Sequence, residues 1–273
     1  DLSPTSKLAV KRASWLAQRM DVRLELIYVG SDPGERLHKL AQENKGEAKV
    51  RQGNPVDALI DEVGDGDLLA VGSVGMSGAR RFMLGNVPNK VSHHAPSDLL
   101  IVKTDSKRAE IEPYQALLVG SDGSPTATLA VKAAAQLAAS IGVGMTVVCA
   151  YQPPSQDELD AMKSGDVLEQ WGSRDRYSEV PEELRWRIAS ASQAGDVLER
   201  AEAQASQFGV EPTTTAVEGP AADVLLKIAE EGDYGLIAIG SVGMSGTKRF
   251  MLGNVPNRVS HHAHTDVLII RTA

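Results

Sequence analysis

The chain has 273 residues, 42% of them hydrophobic and 23% charged, with a net charge of −8. That mix is ordinary for a soluble globular protein, and the acidic balance excludes the basic face that nucleic acid or an anionic membrane surface would require. The single cysteine, Cys149, excludes an internal disulfide framework and a CxxC zinc site. With no signal peptide and no long apolar run legible, a reducing cytoplasm is the expected compartment.

The chain opens with a helix start: Ser3 offers a capping hydroxyl and Pro4 the first helical position. Leu8, Val10, Ala13, Trp15, Leu16 and Met20 follow at helical spacing. A buried strand is expected over 24–29, a helix over 35–45, a weak strand over 48–51 and an amphipathic helix over 56–63. A strand over 68–73 then feeds a distinctive block, residues 72–104, in which 85–94 reads as a helix and 98–103 as a strand.

That block recurs at residues 240–272 with no gap, at an offset of 168, and 25 of its 33 positions are identical. A repeat of this length predicts two copies of one domain. The expected boundaries are 1–106 for the first domain, 107–113 for a polar linker and 114–273 for the second domain. The second domain reads as strand 116–121, helix, strand 145–150, helix, strand 213–217, helix 221–231, strand 236–241, helix 254–262 and strand 266–271. Strands alternating with helices predict an open, doubly wound, Rossmann-like parallel sheet of five strands.

Near its start the second domain aligns with residue 1 onward at an offset of 121, so Asp122, Ser124 and Pro125 match Asp1, Ser3 and Pro4. The offset grows to 168 at the repeated block, so the second domain holds 47 more residues, all within 152–207. The first domain also has no counterpart of strand 116–121. It is therefore expected to be truncated, with a gap in its core and a doubtful join near Gly30–Pro33.

Each block carries Gly-x-x-Gly, nine residues, then Gly-Asn: Gly72, Gly75, Gly85 and Asn86, repeated as Gly240, Gly243, Gly253 and Asn254. Glycines after a strand let backbone approach a ligand. A helix opening at Gly85 or Gly253 presents unpaired N–H groups and a positive dipole end to phosphate. Asp122 follows a strand end on the same side and Asp1 is its counterpart by position; a carboxylate there suits a ribose hydroxyl or a phosphate-bound Mg²⁺. The spacing is neither a Walker loop nor a dinucleotide fingerprint. The pairs His93–His94 and His261–His262 cannot chelate as neighbours on one helix and read as favourably charged helix ends. Arg80, Arg81, Lys248 and Arg249 lie in the loops between glycines, Met76, Met83, Met244 and Met251 read as packing residues, and Cys149 as an inert core thiol. No catalytic residue set is evident, so at most a slow ATPase is expected.

Strand-Asp-Gly-Ser-Pro followed by Gly-2x-Gly-9x-Gly, a short helix and a last strand ending in Arg resembles the tandem form of the universal stress protein family. The resemblance implies an adenine nucleotide alpha hydrolase-like fold and a stress-response sensor or regulator. It implies ATP as ligand, or AMP or a cyclic nucleotide, with Mg as a companion ion held through Asp122. By position, the second site is Asp122, Ala150, Gly240, Ser241, Gly243, Gly253, Asn254 and Val255. The first is Asp1, Val29, Gly72, Ser73, Gly75, Gly85, Asn86 and Val87. It also implies pairing through the last strand: 99–103 against 267–271 within the chain, and a homodimer of chains. The family's Ser or Thr after the third glycine is replaced by Asn86 and Asn254, and Leu2 replaces the glycine after Asp1. Asparagine still donates to a phosphate oxygen but lacks the compact hydroxyl contact. That departure keeps open a form that binds partners and no nucleotide.

Overall fold

The structure, a computed structural model, describes residues 1–74, 84–103, 114–153, 182–242 and 252–271. In the first repeat these form α1 (Pro4–Met20), β1 (Glu25–Val29), α2 (Glu35–Glu43), β2 (Glu47–Arg51), α3 (Pro55–Asp61), β3 (Leu68–Gly72), α4 (Asn86–His94) and β4 (Asp98–Val102). The second repeat gives β5 (Ala116–Gly120), α5 (Pro125–Ile141), β6 (Gly144–Tyr151), α6 (Glu182–Ser206), β7 (Thr213–Glu218), α7 (Ala221–Glu231), β8 (Leu236–Gly240), α8 (Asn254–His262) and β9 (Asp266–Ile270). The expected linker and the excess segment before α6 lie outside the described residues.

The two repeats start their first helices by the same device. Ser3 accepts from Ser6 N–H at 3.2 Å, and Ser124 from Ala127 N–H at 3.1 Å, each with proline next in the chain. Both helices stop on a left-handed residue: Gly142 at φ 71° and, at the matching position, Asp21 at φ 53°. Glycine adopts that conformation without a Cβ penalty, whereas aspartate bears one.

A seven-stranded sheet runs β3-β4-β9-β8-β5-β6-β7. Within it β9-β8-β5-β6-β7 is the expected five-stranded parallel sheet of the second repeat. The helices cover both faces. One core is built on α1, α5 and α6, around Leu117, Val119, Ala134, Ala138 and Leu198. The other is built on α3, α4, α7 and α8, around Leu99, Ile101, Leu118, Val91 and Val259.

The four strands of the first repeat are divided. β3 and β4 join the large sheet, while β1 and β2 pair only with each other, over a small core of Leu26, Leu37 and Ala41. Among the described residues no strand stands between β3 and β1, where the second repeat has β5 between β8 and β6. The consequence shows in exposure: Leu68 is 39% exposed, and its counterpart Leu236 is 0% exposed. Ser14 Oγ donates to Asn44 O at 2.8 Å and ties α1 to the end of α2. Residues 30–34 form an ordered turn, with Gly30 N–H on Arg51 O and Gly34 N–H on Asp32 Oδ1, both at 2.8 Å.

The repeats meet as expected. β4 and β9 pair antiparallel with Leu100 opposite Leu268, the same residue of each copy, flanked by Leu99↔Ile269 and Ile101↔Val267. Such a contact of equivalent residues defines a pseudo-twofold axis. Asp98 accepts from Arg271 N–H at 2.7 Å, and its counterpart Asp266 accepts from Lys103 N–H at 2.8 Å. The Lys103 ammonium and the Arg271 guanidinium each reach carbonyls at the end of the other repeat's helix, Ser260 O and Ser92 O. One half of the seam carries more: Tyr114 OH donates to Asp266 Oδ2 at 2.9 Å, and Arg12 Nε lies 3.4 Å from that oxygen.

Candidate functional site

In the second repeat the predicted residues Asp122, Ala150, Gly240 and Ser241 lie at the carboxyl ends of β5, β6 and β8. Asp122 follows β5 and accepts from Ser124 N–H at 3.0 Å, which folds the loop back on the start of α5. Thr126, on the first turn of α5, donates its hydroxyl to Val242 O at 2.7 Å. This bond fixes the Asp122 loop against the end of β8, just beyond Gly240. Gly253 N–H then bonds Ser241 O at 2.8 Å, which brings the start of α8 to the same strand end. Ser241 is buried and its N–H bonds Ile270 O at 2.9 Å.

Gly253 is the N-cap of α8, at φ −64°, and gives no side-chain cap. Asn257 N–H already bonds Gly253 O, and Pro256 has no N–H. Among the described residues, the donors left at this helix end are the N–H groups of Asn254 and Val255. The Asn254 side chain is exposed, whereas Val255 packs on the core and offers only backbone. Ala150 lies next to last in β6, partly buried opposite Val217. Gly243 lies outside the described residues, as do Arg80, Arg81, Lys248, Arg249 and the four loop methionines.

Among the described residues, packing does not explain two glycines here. A Cβ on Gly240 would meet Thr126 O at 3.4 Å, and one on Gly253 would meet Ser241 O at 3.5 Å, both ordinary contacts. Neither residue has a positive φ. Gly123 is different. It has φ +77°, and a Cβ there would meet the Val197 Cγ2 of α6 at 2.7 Å. α6 thus walls the Asp122 loop, and Arg187 near its start makes a forked ion pair with Glu218 at the end of β7. The matching helix of the first repeat, α2, has 9 residues against the 25 of α6.

The first repeat reproduces much of this frame. Asp1 Oδ1 accepts from Ser3 N–H at 3.1 Å, and Gly85 N–H bonds Ser73 O at 2.8 Å. Asn86 and Val87 open α4 as Asn254 and Val255 open α8. Gly72 differs from Gly240, because a Cβ there would strike Thr5 Cγ2 at 2.7 Å, so packing alone demands glycine. Leu2 holds φ 54° where the second repeat has Gly123. Val29 ends β1 in the separate sheet, so its side of the crevice lacks the continuous sheet that carries Ala150. Gly75 lies outside the described residues.

Cys149 is buried, and its thiol pKa is raised, first by burial and then by the Asp122 charge, which keeps it protonated and inert. No group of three metal-ligating side chains occurs among the described residues.

The role of the histidines was missed in the sequence. They do end α4 and α8, but they also face across the seam. His93 Nδ1 accepts from Leu252 N–H at 3.3 Å, and His261 Nε2 lies 3.3 Å from Asn89 Oδ1. Burial lowers both pKa values first. His94 and Arg271 lower that of His93 further; Lys103, His262 and His93 lower that of His261. The signal available in the sequence was that both pairs sit in the twice-written block. Thr5 and Thr126 were also legible, at the offset of 121.

The profile of the universal stress protein family matches residues 33–103 and 113–271. The chain belongs to the universal stress protein family. It is 28% identical over 160 residues to universal stress protein Rv1636 of Mycobacterium tuberculosis, a match covering 58% of this chain and 97% of that protein. With universal stress protein Mb2028c of Mycobacterium bovis it shares 25% identity over 219 residues, 80% of this chain but 66% of that protein's length. A solved structure described as a functionally unknown protein of Pseudomonas aeruginosa superposes with a TM-score of 0.65 at 18% identity, covering 99% of this chain and 89% of that one. That likeness establishes the fold. Among the described residues no helix is long and apolar enough to cross a membrane.

Proposed function

We propose that the chain is a stress-response regulator whose two crevices bind an adenine nucleotide, ATP foremost, without rapid turnover. The observation that carries this reading is Gly253. Its φ is that of an ordinary residue, and its surroundings would admit a Cβ, yet it stands bare at a helix start. A Ser, Thr or Asp there would cap the helix better. A bare N-cap leaves the Asn254 and Val255 N–H groups open to a phosphate oxygen at the positive end of the dipole.

The site residues fit the group. Gly240, Ser241 and Gly253 leave backbone room for the ribose and phosphates, and Asn254 adds a side-chain amide. Asp122, after β5, is our candidate to take a ribose hydroxyl or the Mg²⁺ of a nucleotide. One carboxylate with substrate phosphates is the usual protein share of a Mg²⁺ site. Ala150 offers its strand-end backbone to the base. In the first repeat Asp1, Val29, Gly72, Ser73, Gly85, Asn86 and Val87 take the same roles, with Gly75 and Gly243 completing the two motifs. The domains run 1–106 and 114–273, and the cytoplasm is the proposed compartment. Pairing of whole chains as homodimers is part of the same reading.

Calorimetric titration with ATP, AMP and cyclic AMP tests it. Saturable heat with at least one of them, reduced by Asp122→Ala, is expected. Absence of heat with all three would overturn the reading in favour of a partner-binding protein of the same fold.

A further inference from the structure

The helix that opens each crevice ends at the seam with the other repeat. α4 begins at Asn86 in the first crevice and carries in its last turn His93, whose Nδ1 accepts from Leu252 N–H. Leu252 immediately precedes Gly253, the N-cap that the second crevice is built on. The Arg271 guanidinium also holds carbonyls of the last turn of α4, at Val91 and Ser92. In the other direction His261, near the end of α8, faces Asn89 on α4. The start of one ligand-facing helix therefore rests on the end of the other.

We propose that His93 is a positioning residue supplied by the first repeat to the second crevice, and that it couples the two. The proposal rests on the reading of that crevice as a phosphate site. Neutral His93 offers a lone pair at Nδ1, which orients the Leu252 peptide and with it Gly253 and the two donors beyond. Protonated His93 has no acceptor and repels the N–H. The charged and titratable groups around it are His94 on its own helix, Arg271 after β9 and His261 on α8. Burial first, then His94 and Arg271, disfavour its charged form, so the accepting state holds at neutral pH and is lost on acidification.

Backbone amide resonances report each crevice separately: Leu252, Asn254 and Val255 for the second, Asn86 and Val87 for the first. In an ATP titration, His93→Phe keeps an aromatic ring but removes the acceptor. It is expected to weaken ATP at the second crevice about threefold to tenfold, the weight of one hydrogen bond. His93→Asn keeps an acceptor at the δ position and restores wild-type affinity. Lowering the pH from about 7.5 to about 5.5, across the histidine range, weakens the second crevice in the wild type and not in His93→Asn. Equal weakening by both variants, or by neither, would overturn the proposal.

Amide exchange without ligand keeps the two readings apart. His93→Phe should speed exchange at Leu252 about tenfold, again one hydrogen bond's worth, while His93→Asn leaves it slow. If ATP shifts none of these amides, the nucleotide reading fails, and the exchange data alone decide whether His93 positions Leu252. Equal exchange in both variants would sink that role.

Discussion

Asp266 shows how much one side chain holds at the seam. It is 5% exposed and takes hydrogen bonds from Lys103 N–H and Tyr114 OH, with Arg12 alongside. Asp266→Ala leaves Arg12 buried without that carboxylate and should cost about 3–5 kcal/mol, read by urea denaturation. Asp266→Asn, which keeps the side chain's shape and one of the two acceptor oxygens, should cost less. The seam histidines set a pH dependence of a known sign. Burial holds the folded pKa values of His93 and His261 below the unfolded value. The unfolded chain therefore binds more protons as the pH falls through about 6.5, and stability is lost there. The urea midpoint should drop between about pH 7.5 and 5.5 and flatten in His93→Asn/His261→Asn. Lys103, whose pKa burial depresses to about 8, has the same sign at higher pH: its share of stability rises above pH 8.

The two copies of each element form a natural substitution series. Asp21 occupies the left-handed stop that Gly142 fills, so Asp21→Gly should raise stability by about 0.5–1 kcal/mol, seen as a higher urea midpoint. Gly72→Ala should lower stability by about 1–3 kcal/mol, because the Cβ meets Thr5, whereas Gly240→Ala should be nearly neutral to the fold. These elements were largely legible in the sequence. Ser-Pro starts, apolar runs and the repeat make all the described strands and most of the helices legible to within a few residues. The glycine spacing and the Asp122 loop are legible in the sequence as a candidate phosphate site. What the residues concealed depends on contacts between elements distant in the chain. Thr126 reads as an ordinary helix residue until Val242 O is seen beside it. His93 reads as a helix end until the second repeat is laid against it. Tyr114 and Arg12 meet Asp266 across more than 150 residues of chain, which no local pattern encodes.

At the scale of the molecule, the β4–β9 pairing makes one sheet of two repeats and covers two strand edges that would otherwise invite association. Among the described residues no strand pairs with the other edge of β3, the slot that β5 fills beside β8, and Leu68 there is exposed. A chain carrying a copy of residues 114–121 ahead of Asp1 should fill that slot in parallel, as β5 does, and unfold at a higher temperature than the 273-residue chain. The central claim is that bare backbone at Gly253 admits a nucleotide phosphate to the start of α8. It is tested most directly by Gly253→Ala, whose Cβ the protein itself accommodates. Thermal unfolding should match the wild type within a few degrees, while calorimetric affinity for ATP at the second crevice falls about tenfold, as for a lost charge-assisted contact. An intact fold that binds ATP with unchanged affinity would contradict the account.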